Sequence, residues 1–87
     1  MRSFLAVADL GSVTAAAGRL LRTQSAVSLQ IKRLEDNLGQ PLFVRQARGV
    51  VLSPRGEQLV PYARRVIAAL DEAAIALREK RLQGPVR

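Results

Sequence analysis

Apolar positions along this chain recur with two different periods, and the change of period divides it. Up to Leu38 they come three and four residues apart, the spacing that gathers side chains on one face of a helix. Phe4, Leu5, Val7 and Ala8 predict a short first helix, stopped by Gly11. Ser12 is a good N-cap for a second helix over 13–21, with Ala16, Ala17, Leu20 and Leu21 apolar and with Gly18 and the alanines admitting a close neighbour. Arg22 and its immediate neighbours are all that separate this helix from a third, which Thr23 caps and Gly39 and Pro41 end. In the third helix Val27, Ile31, Leu34 and Leu38 fall on one side.

The period then shortens. Leu42 to Arg45 is β-prone, Gln46-Ala47-Arg48-Gly49 has turn chemistry, and Val50 to Leu52 is β-prone again, which predicts a small hairpin with Arg45 and Arg48 near its tip. Ser53 and Pro54 open a long helix as N-cap and first residue. Along it Leu59, Ala63, Val66, Leu70, Ala73 and Leu77 keep a heptad spacing over about 27 Å, with a second stripe of Val60, Ile67 and Ala74 beside it. So small a domain cannot bury both stripes, least of all beyond Val66, so a partner helix is expected, most simply from a second copy. Pro61 should bend the helix, and Gln83, Gly84 and Pro85 should end it as the start of a linker.

Two helices joined by a tight turn form a helix-turn-helix, in which the second helix is the reader. The outward side of the third helix suits that task. A helix that only covers a core usually fills its outer face with Glu, Lys and Arg. Here the outer side holds Ser25, Ser28, Leu29, Lys32 and Asp36, with Gln24 and Arg33 at its margins, and short hydroxyls and an amide can approach base edges closely. Leu29 comes about 200° from Val27, so it points away from the core. Read alone, Thr23, Gln24 and Ser25 also suit an ordinary helix start; the neighbouring elements favour the reading helix.

Charge narrows the choice of partner. Fourteen basic residues oppose seven acidic ones, for a formal charge of +7, and such an excess points to a polyanion: nucleic acid or a membrane surface. No apolar run approaches the ~20 residues of a membrane span, and no signal peptide pattern precedes the domain. The chain has neither Cys nor His, which removes disulfides, thiolate or imidazole metal sites and most acid–base catalysis. An enzyme is not expected, nor a metal or cofactor. Lys32, Arg33, Arg45 and Arg48, placed around the third helix and the hairpin, are expected to meet phosphates or a minor groove.

Three stretches, FLAVADLGSVTAAAGRL, QSAVSLQIKRLEDNLGQPLFVR and LSPRGEQLVPYARRV, resemble in order and spacing the N-terminal DNA-binding domain of LysR-type bacterial transcriptional regulators, over essentially the whole chain. The resemblance implies a mainly α fold: a winged helix-turn-helix of three helices and a hairpin wing (1–53), a linker helix that pairs antiparallel with its dimer mate (54–82), and the start of a linker (83–87). In complete members a ligand-binding domain of periplasmic-binding-protein type follows, so a small-molecule inducer is implied for that domain; the family's first helix also starts earlier, implying a shortened start at Met1. Base-reading positions carry over onto Gln24, Ser25, Ser28 and Leu29, in a reading helix over 24–37. Wing positions fall on Arg45 and Arg48, and backbone contacts on Thr23, Gln30, Lys32 and Arg33. The dimer interface implied is the seam Leu59, Ala63, Val66, Leu70, Ala73 and Leu77. Many members have Pro at Ser25 and Arg at Leu29, so an arginine-to-guanine contact does not transfer.

The expected function is therefore sequence-specific binding of double-stranded DNA, at an interrupted palindromic operator, by a homodimer that regulates transcription. Cytoplasmic location on the nucleoid and a tetramer in the full-length regulator are further expectations. The alternatives are a helical interaction module without specific DNA reading, and a membrane-surface helix, whose arginines are however interrupted by Asp71, Glu72 and Glu79.

Overall fold

The computed structural model describes residues 1–83, with side chains as far as Arg78. Its elements run α1 (Arg2–Leu10), α2 (Val13–Leu20), α3 (Gln24–Leu38), β1 (Phe43–Gln46), β2 (Gly49–Leu52) and α4 (Pro54–Gln83). The expected linker therefore falls, apart from Gln83, outside the described residues.

Helix ends follow local chemistry. Gly11 and Gly39 are left-handed caps, and Ser12 and Thr23 each accept a backbone N–H three residues on, at 3.1 Å. α2 stops one residue short of expectation. Leu21 is left-handed at φ 56° and 92% exposed, so it belongs to the turn and not to the apolar side. Reversing the chain within Leu21 to Thr23 requires a left-handed residue, and the N–H of Arg22 returns to the Ala17 carbonyl at 2.9 Å.

Gly18 also differs from expectation. A Cβ built there meets nothing within 4 Å, so no neighbour uses the space. Gly18→Ala is expected to stabilise the fold by about 0.5–1 kcal/mol through helix propensity and lost unfolded-state entropy. A lower denaturant midpoint for this variant would contradict the open surface seen at α2.

Two buried clusters meet at Phe43. Val7, Ala16, Ala17, Val27 and Ile31 join α1, α2 and α3; Phe4, Leu42 and Ala63 join α1, the start of the hairpin and α4. Phe43 packs on both and lies 5.5 Å from Phe4, ring centroid to centroid, in a tilted aromatic pair. On α3, Val27 and Ile31 are buried and Leu34 half-buried, but Leu38 stays 47% exposed. The last turn of α3 passes beyond the core, and Leu38 borders an open hollow beside Leu42, Leu59 and Tyr62.

The hairpin is antiparallel, from Phe43 opposite Leu52 to Gln46 opposite Gly49, which leaves Ala47 and Arg48 as its turn. Leu42 lies just before it, fully buried, its N–H donating to Glu35 Oε2 at 2.8 Å and its carbonyl accepting from Ser53 N at 2.9 Å. Ser53 Oγ donates to the Pro41 carbonyl and accepts from Gly56 N, closing the hairpin base onto α4. There the backbones touch. A Cβ on Gly56 would lie 2.2 Å from the Leu42 carbonyl oxygen.

α4 continues through Pro61 without interruption, although the Glu57 carbonyl lacks its usual donor there. It packs on α1 and β2. One expected interface residue is thereby corrected: Ala63 is completely buried within its own protomer and has no surface to offer a partner. Leu59 and Ile67 are half-buried, whereas Val66, Leu70, Ala73 and Leu77 are exposed. Arg64 to Asp9 at 3.6 Å and Arg2 to Asp71 at 2.7 Å tie α4 to α1, exposed pairs that contribute little individually.

Candidate nucleic-acid interface

The site is built where α3 and the hairpin flank the start of α2. With Val27 and Ile31 held in the core, helical geometry turns Ser25, Ser28, Leu29, Lys32 and Asp36 outward, and all are exposed. The wing is set beside this face by the turn between α1 and α2. Val50 N donates to the Gly11 carbonyl at 3.1 Å, and a Cβ on Gly49 would lie 2.2 Å from that same oxygen. Only glycine allows this approach, and its φ of 129° suits glycine alone as well.

Two adjoining hollows lie between wing and helix. One, of about 280 Å³, has Ser12, Thr14, Gln24, Ser28, Arg45 and Gln46 among its walls. The other, of about 210 Å³, has an apolar floor including Ile31, Phe43 and Val50 and a polar rim of Ser28, Lys32, Glu35 and Arg45. The fold thus brings Gln24, Ser28, Lys32 and Arg45 into one concave surface. Ser25 and Leu29 stand on the exposed crest beside it, and Leu29 is 50% exposed. Arg48 projects from the wing turn, exposed.

Two expected contacts face elsewhere. Gln30 accepts the hydroxyl of buried Ser3 and so points to α1. Arg33 lines a different groove with Arg22, Leu34, Val66 and Leu70, on the side toward α4. Thr23 uses its hydroxyl oxygen as the α3 cap. Lys32 carries a loose pair with Asp36 at 3.8 Å, an i,i+4 contact in solvent that a stronger anion can displace. Apart from Asp36, the carboxylate near this surface is Glu35, which is committed to Leu42 N.

Sequence reasoning missed Thr14 and Gln46 as walls of the surface and took Ser12 only as a cap. It also missed Glu35, whose carboxylate aims the chain into the wing. Their sequence signal is weak, because each faces the site only through the docking of the wing.

Residues 1–57 match the profile of the bacterial regulatory helix-turn-helix proteins of the lysR family. The chain belongs to this family. It is 47% identical over 87 residues to the HTH-type transcriptional regulator DgdR of Burkholderia cepacia, covering 100% of this chain and 30% of that protein. It is 45% identical over 84 residues to the HTH-type transcriptional regulator PecT of Dickeya dadantii, covering 97% and 27%. The chain spans less than a third of the length of these curated relatives, both named as regulators and neither as an enzyme. Among solved LysR-family structures, the CbnR_DBD–DNA complex superposes with a TM-score of 0.82 at 33% identity, covering 90% of each chain. The BenM_DBD complex with catB site 1 DNA gives 0.80 at 32% identity, covering 99% of this chain and 93% of that one. The mainly helical winged architecture is therefore that of LysR-family DNA-binding domains. Among the described residues no helix is long and apolar enough to cross a membrane.

Proposed function

We propose that this chain is the DNA-reading and dimerising part of a LysR-type transcription regulator. The observation that carries the reading is the concave surface of Gln24, Ser28, Lys32 and Arg45, flanked by Ser25 and Leu29, in a chain of net charge +7. On this reading residues 1–53 bind DNA and α4 pairs two copies through Leu59, Val66, Leu70, Ala73 and Leu77. Gln24, Ser25, Ser28 and Leu29 meet base edges in the major groove. Lys32, Arg45 and Arg48 meet phosphates or the minor groove, and Thr23 follows as a backbone contact at the margin, whereas Gln30, turned to Ser3, and Arg33, in the groove toward α4, stand outside this contact set. Two reading helices related by a twofold axis call for an interrupted palindrome. The full-length regulator works in the cytoplasm on the nucleoid, as a tetramer, with a small-molecule inducer bound by a domain beyond this chain.

The test is the salt dependence of binding to duplexes selected from a random pool. For about 6–10 phosphate contacts, log K plotted against log salt should fall with a slope of roughly −5 to −9. A flat line would instead favour an interaction module that does not bind DNA.

Leu29 is half-exposed on the outer face of α3 and belongs to neither core cluster. A leucine there fits apolar contact with a thymine methyl. Leu29→Ala should then cost about 1 kcal/mol and relax preference at one base pair, while Leu29→Arg should move that preference to guanine. Identical selected sites for the parent and both variants would show that Leu29 reads nothing.

A further inference from the structure

The stripe that α4 leaves uncovered has a symmetry of its own. Tyr62, Val66, Leu70 and Leu77 are 60%, 41%, 56% and 66% exposed, and exposed Ala69 and Ala73 lie among them. All six fall within an arc of about 100° on the helix. Their positions 62, 66, 69, 70, 73 and 77 read the same in both directions about the midpoint between Ala69 and Leu70. Such a stripe matches a second copy of itself when the two helices run antiparallel. Tyr62 then faces Leu77, Val66 faces Ala73 and Ala69 faces Leu70. In the two inner pairs a larger side chain meets an alanine, the alternation that close packing of helices requires. A parallel pair would instead set leucine on leucine and alanine on alanine, leaving clashes and gaps.

The Tyr62 end of the stripe opens into a hollow of about 230 Å³ lined by Leu38, Gln40, Leu42, Arg55, Leu59 and Tyr62. It lies at the C-terminal end of the reading helix, and Leu38, 47% exposed, is left uncovered there by the described residues. We propose that this hollow is filled by Leu77 of a second copy, so that each reading helix is seated from behind by its partner. The proposal rests on the homodimer reading and adds its register and its contact with α3. The hollow is incomplete in a single copy, because the palindrome brings Leu77 to Tyr62 only across the pair.

The chain has no cysteine, so introduced thiols report the register directly. An equimolar mixture of Tyr62→Cys and Leu77→Cys chains, treated with a short bifunctional maleimide, should give a covalent dimer. So should a mixture of Leu38→Cys and Leu77→Cys. Either Tyr62→Cys or Leu77→Cys alone should give none, since antiparallel copies of one position stand roughly 22 Å apart along the axis. All three side chains are exposed in a single copy, so the fold of that copy does not rest on them. If the chain sediments as a dimer but either mixture fails to cross-link, or Leu77→Cys alone cross-links, the register and the filled hollow are wrong while the homodimer stands. If the chain sediments as a monomer at tens of micromolar, both readings fall.

Discussion

Leu70→Asp is expected to convert the chain to a monomer and to reduce its affinity for a two-half-site duplex about 10²–10⁴-fold, leaving affinity for a single half-site nearly unchanged. Leu70 is 56% exposed in one copy, so folding of the protomer does not depend on it. In the proposed antiparallel pair it would sit next to the twofold axis. A carboxylate there would lose water without a partner and would approach its own symmetry mate, at a cost of about 3–5 kcal/mol. The loss on the longer duplex follows because the second reading helix is no longer delivered at high effective concentration. Sedimentation and titrations on one and two half-sites measure each part. Equal losses on both duplexes would mean that Leu70 acts through folding, and an unchanged dimer would remove α4 as the interface.

Gly56→Ala is expected to remove at least about 3 kcal/mol of stability, the upper range for forcing an added methyl into a packed site. The new Cβ would stand 2.2 Å from the Leu42 carbonyl oxygen, 3.1 Å from its carbon and 2.8 Å from Leu52 Cδ2. The side chain of Leu52 can rotate away, but the carbonyl is held by Ser53 N at 2.9 Å and begins the wing. Relief therefore means moving the first turn of α4 away from the hairpin. Against a total stability on the order of 5–15 kcal/mol the loss is large. At about 4–8 °C per kcal/mol for a domain of this size, the melting temperature should drop by at least roughly 12 °C. The same chemical change at Gly18, where a Cβ meets nothing, carries the opposite sign. A melting temperature within a few degrees of the parent for Gly56→Ala would show that α4 and the hairpin are not in contact as described.

Local pattern carried the reading a long way. The caps at Ser12, Thr23 and Ser53, the stops at Gly11 and Gly39, the paired strands and the outward face of α3 each depend on residues within a turn or two of one another. Periodicity and side-chain chemistry report such short-range relations well. The net charge and the three motif stretches indicated the partner for the same reason, being properties of the chain and not of its packing.

Periodicity does not say what lies opposite an apolar face. Leu21, Leu38 and Ala63 all fit helical spacing, yet Leu21 closes the turn, Leu38 overruns the core and Ala63 is consumed by its own protomer. The same holds within the site. Gln30 and Arg33 share α3 with Ser28, but Ser3 and the α4 groove draw them aside, while Thr14 and Gln46 enter the surface from other elements. Gly49 and Gly56 read as ordinary turn and helix residues until the Gly11 and Leu42 carbonyls arrive against them. Those approaches join residues far apart in the chain, and only the docking of wing, helices and α4 sets their distances.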